Sequence, residues 1–305
     1  MFLQLPFNIY EEETLEETED YTIIRHRDGS VIKHTKNGLD LHISPAVSCL
    51  ADWNHIKEKS LDILEKYFTD QNIEKVYSPY KEGHMRGEFS IRFGILGFFW
   101  TPRTLLGIEE HMLALYDAPQ LLHSINQYIL DFYIKYLDKI FNYVKPDVLY
   151  LMEDLSGANG PMISKAHFEE YIGDYYRQLI PFLKSKGVGH VFVDTDGDFN
   201  ALIPNFISAG VEGFLPMDVN AGMDIVKTRQ EYPKLKFIGA FNKLEIAKGK
   251  QAIDREFERI LPVIKQGGYI PGSDHQVAPS THIDDYKYYI FKLREMMKQA
   301  GVTGE

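Results

Sequence analysis

The 305-residue chain has almost no cysteine; Cys49 stands alone. No disulfide can close within one chain and no thiolate metal cluster can be built from it, which fits a reducing cytoplasm. Long apolar runs are also missing. The longest, Phe93 to Trp100, is far short of the ~20 residues that a bilayer span needs. Positive charge is in deficit: 33 Lys and Arg face 44 Asp and Glu, leaving a net charge of -11 and a pI near 5.5. That balance argues against a nucleic-acid or anionic membrane surface, because polyanionic partners select basic faces. Met1 to Tyr10 has no basic start and is interrupted by Gln4, Pro6 and Asn8, so it does not read as a secretory signal. These absences leave a cytoplasmic protein directed at small molecules, with no nucleic-acid or membrane partner. An apolar fraction of 44% supplies an ordinary core for one large domain or two small ones.

What is present is organised around Val191-Phe192-Val193-Asp194-Thr195-Asp196-Gly197-Asp198. Apolar, β-forming residues end abruptly in carboxylates and a glycine, as a buried parallel strand does when its C-terminal end opens into a site. The same grammar recurs. Strand 148–152 ends in Glu153-Asp154, strand 213–217 in Asp218, strand 236–241 in Asn242, and strand 269–271 in Gly272-Ser273-Asp274-His275. Helical stretches separate them, around 164–187, 200–209, 222–232 and 251–265, and a last helix spans 284–298. Strands alternating with helices require parallel pairing and right-handed crossovers.

Ahead of these units, residues 21–32 read as a hairpin around Asp28-Gly29, residues 52–67 as an imperfect helix, and 69–87 as a connection. A strand over 91–100 leads to a helix carrying Leu105, Leu106, Ile108, Met112 and Leu115. Asp117 is the expected N-cap of a long helix with Pro119 in its first turn, running to about Val144. Residues 1–87 are thus expected as a hairpin and helix segment packed on a barrel domain of residues 88–305.

An open doubly wound sheet predicts a glycine fingerprint directly after a strand; Gly187-Val188-Gly189 instead precedes one. Polar residues at nearly every strand end favour a closed α/β barrel, (β/α)8 TIM-barrel-like, whose loops converge on one face. On that reading Glu153, Asp154, Asp194, Asp196, Asp218, Asn242, Asp274 and His275 meet at one mouth. Close carboxylates cannot all ionise, so at least one should hold a proton near neutral pH. A bound divalent cation held by Asp194, Asp196 and His275 relieves the same repulsion. N-capping of the next helix accounts for any single one of these residues equally well, Asp196 and Asp198 included. His275 competes with ten other histidines, and Trp100 is either a pocket wall or core. Gly267-Gly268 and Gly272 form a weak phosphate cradle, since Pro271 removes an amide donor. Arg103 is the cation expected near the mouth.

Asp194-Thr195-Asp196-Gly197-Asp198 with Leu202-Ile203-Pro204, then Gly210 to Asp218, Ala221-Gly222-Met223-Asp224, and Gly267 to His275 with Pro279 together resemble the uroporphyrinogen decarboxylase superfamily. This superfamily includes tetrapyrrole decarboxylases and methyltransferases that work with corrinoid proteins. The resemblance runs from about 88 to 298 and implies a TIM barrel. His275 resembles the histidine lining the decarboxylases' tetrapyrrole pocket; their arginine-rich N-terminal motif and strand-borne aspartate have no counterpart. The methyltransferases' zinc positions, a His-x-Cys pair and a later Cys, look like Asp194, Asp196 and Ser273. The acidic Asp-x-Asp-Gly version resembles a branch associated with demethylation systems.

The resemblance therefore implies methyl transfer to or from a corrinoid or tetrahydropterin carrier, with Asp194, Asp196, Asp274 and His275 as catalytic residues. Trp100, Glu153, Asp154, Asp218, Asn242 and Ser273 would bind substrate. A tetrapyrrole decarboxylase of porphyrin biosynthesis and a non-catalytic tetrapyrrole- or corrinoid-binding protein are the alternatives. The usual N-terminal strand and helix are not evident in the sequence, so the barrel is expected to be incomplete at that end, or closed by a homo-oligomer or a partner subunit.

Overall fold

The computed structural model describes residues 1–36, 38 and 40–301. The chain divides into two compact units, Met1–Leu149 with Ala166–Gly189, and Tyr150–Lys165 with His190–Glu305.

The first unit opens with β1 (Phe2–Leu3), whose residues Phe2 and Leu3 pair with Gly94 and Ile95 of a later strand. An antiparallel sheet follows: β2 (Glu13–Glu17), β3 (Tyr21–Arg25), β4 (Val31–Thr35) and β5 (Asp40–Ser44), in that order. The expected hairpin is its centre, with Arg25 opposite Val31. Its turn needs Gly29 at φ 96, and Asp28 Oδ1 accepts from the Ser30 backbone N–H and hydroxyl at 2.9 and 2.7 Å. Helix Leu50–Tyr67 is started by Asp52, which accepts from the Ser48 and Cys49 amides. Those bonds hold its carboxyl below the ordinary range.

Residues 69–87, expected as a connection, instead form helices Asp70–Tyr77 and Lys81–Met85 joined by a 3-10 turn. Thr69 caps the first by accepting from Asn72 N–H. Ile73 is the buried residue of that helix, so little apolar periodicity marked it. β6 (Arg92–Leu96) pairs with β1. The strand stops at Leu96, and Trp100 instead begins helix Trp100–Leu106. Asp117 is not the expected N-cap: it ends helix Ile108–Asp117, and Ala118 precedes the long helix Pro119–Ile140. Pro119 takes the first-turn position where its missing N–H costs nothing. Leu122, Ile125, Ile129, Phe132 and Tyr136 form its buried stripe.

β7 (Val148–Met152) carries the chain into the second unit. There β8 (Ser156–Gly157) and β9 (Gly160–Pro161) make a small antiparallel pair. β10 (His190–Thr195), β11 (Gly213–Pro216), β12 (Lys236–Phe241) and β13 (Tyr269–Ser273) pair in parallel, with Asp194 opposite Leu215, Phe214 opposite Phe237 and Phe241 opposite Ser273. Helical segments stand between consecutive strands: Ile203–Ser208, Ile225–Glu231 and Lys250–Gln266, with Ile283–Gln299 after the last. Phe199, Phe206 and Phe214 are fully buried and in ring contact at 4.8 and 5.4 Å. Each such side chain contributes roughly 1.5–3 kcal/mol by leaving water.

The main sheet has seven strands among the described residues, ordered β1-β6-β7-β10-β11-β12-β13. The fold is the expected α/β, TIM-barrel-like class. Its N-terminal strand, not evident in the sequence, is the two-residue β1. Residues 1–87 share their unit with β6 and the helices up to 140. No helix among the described residues is long and apolar enough to cross a membrane.

Candidate functional site

In the second unit the strand ends are tied together before any side chain is free to do chemistry. Glu153 N–H donates to the Asp194 carbonyl at 2.8 Å, and Asp196 N–H donates to Asp154 Oδ1 at 3.1 Å. The buried Thr195 hydroxyl accepts from Leu155 N–H. These bonds lock the loop after β7 to the loop after β10. Asp154 is held at φ 42, a conformation that costs a non-glycine residue of order 1–3 kcal/mol and marks over-determined sites. Gly197 turns the acidic loop at φ 79. A Cβ there would lie 2.5 Å from the Ser156 carbonyl oxygen, so the glycine is required by both backbone and space.

Asp274 is wholly buried, and donors engage both its oxygens: Lys243 N–H at 2.9 Å on Oδ1, Val219 N–H at 3.0 Å and Asn220 Nδ2 at 3.4 Å on Oδ2. One carboxylate thereby fixes the loops after β11 and β12 to the end of β13. Burial raises its pKa, and the two backbone donors oppose the rise. Its geometry is that of a positioning group. Asp218 and Asn242 do the capping work weighed from sequence: they accept from Asn220 N–H and Leu244 N–H at 3.1 and 3.0 Å. Asn220 Nδ2 also reaches Asn242 Oδ1 at 3.2 Å. Asp198 likewise accepts from Asn200.

Asp196 differs. Its side chain is 41% exposed, and Oδ2 lies 3.7 Å from His275 Nε2. Partial burial raises its pKa first, then the charge of Asp154 and, less, of Asp218; His275 and Lys243 oppose the rise. This carboxyl therefore keeps its proton to higher pH than an ordinary aspartate, beside an imidazole and open to solvent. Ser273 sets His275 by donating its hydroxyl to the His275 carbonyl at 2.6 Å. Asp154, Asp196, Asp218 and His275 are thus brought together, with Asp274, Asn242 and Ser273 supporting the loops that carry them. Glu153 is fully buried, and Asp194 stays in the β10 ladder opposite Leu215.

The Asp194, Asp196 and His275 metal set is not assembled. Among the described residues no group of three or more His, Cys, Asp or Glu is placed to hold a metal ion. Asp194 is still in the strand, while Asp196 has left it and turned on Gly197.

Trp100 lies in the first unit. The Arg103 guanidinium stacks over its ring at 4.3 Å, and both line a cavity of about 530 Å³ with Ile43, Pro45 and Ile108. His111 is buried nearby in sequence, against Phe99, and burial with the charge of Arg103 lowers its pKa to about 3.

Residues that sequence reasoning missed are Asn220, Lys243, Glu256 and Arg259. Glu256, nearly buried, accepts from Asn242 N–H and from Arg259, whose guanidinium also donates to the carbonyl of Ala240 at 2.8 Å. Ala240 is a further positive-φ residue, at φ 62. An i,i+3 Glu and Arg pair on a helix ordinarily reads as a solvated ion pair, so nothing in the sequence marked it.

No curated protein matches the sequence. Among solved structures, a methyltransferase from Methanosarcina mazei is similar at TM-score 0.53 and 14% identity, over 88% of this chain and 75% of that one; at that identity the likeness is one of fold. The family described as Uroporphyrinogen decarboxylase (URO-D) matches residues 91–296, two-thirds of the chain and every strand-end carboxylate named above. The chain belongs to the uroporphyrinogen decarboxylase family.

Proposed function

We propose that the protein is a cytoplasmic enzyme of this family that transfers a methyl group to or from a corrinoid or tetrahydropterin carrier, in the manner of a demethylation system. The observation that carries the reading is the Asp196 and His275 pair: a carboxyl with a raised pKa, 3.7 Å from an imidazole and partly open to solvent. When a methyl group leaves an oxygen or nitrogen, the heteroatom left behind takes up a proton. Asp196 can hold that proton and His275 can return it, as a general acid of tuned pKa does. Burial and, after it, the charge of Asp154 raise the pKa of Asp196, and Asp274 fixes the loops around them.

The acidic surroundings, Asp154, Asp196 and Asp218 against Lys243, favour this reading over the decarboxylation that the family's description suggests. A substrate bearing many carboxylates would meet repulsion there. The test is anaerobic absorption spectroscopy of the protein with a methylated corrinoid and a tetrahydropterin, beside uroporphyrinogen under the same conditions. Protein-dependent loss of the methyl-corrinoid spectrum, absent in Asp196→Asn, is the expected result. Uroporphyrinogen turnover with no corrinoid change would establish the decarboxylase instead, and ligand binding without turnover of either would establish a carrier-binding protein.

A further inference from the structure

The cavity of about 530 Å³ in the first unit has the size of a small-molecule site. Its walls come from two stretches. One is the end of β5 and the residue after it, His42 to Pro45; the other runs from Trp100 in helix Trp100–Leu106 to Glu110 in the first turn of helix Ile108–Asp117. Each stretch leaves a β-branched side chain half in water, Ile43 at 54% and Ile108 at 50% exposure. An apolar occupant would cover both.

Arg103 is the one permanent cation among the described residues that line the cavity. Its guanidinium lies 4.3 Å over the Trp100 ring and 5.8 Å from the Phe99 ring. A guanidinium stacked in this way directs its N–H donors outward in its own plane, the geometry that grips a carboxylate as a fork. The surroundings set the ligand's charge at one. His111 adds no second cation: it is buried against Phe99 and stays neutral, its pKa lowered to about 3 by burial and then by the charge of Arg103. Glu109 and Glu110 also line the cavity, exposed in a first turn where their charge suits the positive end of the helix. Those two carboxylates would repel a phosphate or a dicarboxylate. An organic cation is disfavoured as well, because Arg103 already lies on the Trp100 face.

We propose that this cavity binds a small apolar monocarboxylate, with the carboxylate on Arg103 and the apolar body beside Trp100, against Ile43, Pro45, Leu106 and Ile108. Trp100 is then a pocket wall and Arg103 the anchor. Every residue of the site belongs to the first unit, so Asp196 and His275 take no part in it.

The test is a proton–nitrogen correlation NMR titration of the full chain with cinnamate, beside cinnamamide, which keeps the shape and loses the charge. The chain has two tryptophans. Trp53 is wholly buried and donates Nε1–H to Ser124 Oγ at 3.0 Å, so its indole resonance is the internal reference; Trp100→Phe assigns the other. The expected result is a saturable shift of the Trp100 resonance by cinnamate, with affinity about tenfold weaker or worse for cinnamamide and for cinnamate on Arg103→Gln. Ile108→Glu places a carboxylate on the wall at a first helical position that favours one, and carries the test should Arg103→Gln fail to fold: cinnamate should weaken about tenfold and cinnamamide little. A Trp100 resonance that cinnamate does not move, equal affinity for the amide, or cinnamate binding unchanged in both variants would overturn the site.

Discussion

Two strand ends of the second unit present an aspartate in opposite circumstances. At the end of β13, Asp274 is wholly buried and three donors converge on its two oxygens, so its charge is consumed in holding loops. After β10, Asp196 is 41% exposed, faces His275, and is crowded by Asp154 and Asp218. Both carboxyls have raised pKa values with burial as the first cause, yet their surroundings assign them different work. A raised pKa alone therefore does not distinguish a positioning carboxylate from a reacting one; what separates them here is whether an oxygen remains free to meet a ligand.

The contrast can be broken or sharpened by substitution. The largest loss should come from the support beneath Asn242: Arg259→Met strands the nearly buried Glu256 without its cation and frees the Ala240 carbonyl, at about 4 kcal/mol of stability in urea unfolding. Asp274→Ala leaves Val219 N–H and Lys243 N–H without their acceptor and should cost about 3 kcal/mol by the same measurement. If Asp274 were instead a reacting group, activity would collapse with stability intact. Asp196→Asn should do what Asp274→Ala does not, lowering methyl transfer about 100-fold or more while the chain stays folded by circular dichroism. Gly197→Ala, with its Cβ against the Ser156 carbonyl, should cost about 2 kcal/mol and slow turnover by shifting the acidic loop.

The smallest effect is the most diagnostic. Because the native pKa of Asp196 is raised, its protonated form favours folding. That contribution is fully present below the ordinary value of 3.8 and is lost as pH rises through the native value. Asp196→Asn should therefore be slightly more stable than the parent at neutral pH, by a few tenths of a kcal/mol given its exposure, and Tm against pH should flatten in the acid range. A loss of stability at neutral pH would move Asp196 into the same class as Asp274.

Much of this arrangement was legible before any coordinates. The Asp28-Gly29 turn, the long amphipathic helix beginning at Pro119 and the strand-helix alternation after 148 rest on interactions within a few residues, which periodicity and turn chemistry record. The ends of strands were recognisable as acidic for the same reason. The cap of the long helix was misplaced because Asp117, a good cap by type, is the last residue of the helix before it. The helices over 70–85 escaped because Ile73 gives the first of them almost no apolar stripe.

The sequence by itself determined the fold class, the family and the inventory of carboxylates, since each is written in local pattern and in residue type at fixed spacing. Only the tertiary structure decided which carboxylate does which work. Asp274 becomes a clamp because Val219 and Lys243, 55 and 31 residues away, bring their amides to it. Asp196 becomes a candidate acid because burial and the charge of Asp154, 42 residues earlier, meet beside His275. Desolvation and pairing are properties of what the folded chain places around a group, and those neighbours come from strands far apart in sequence.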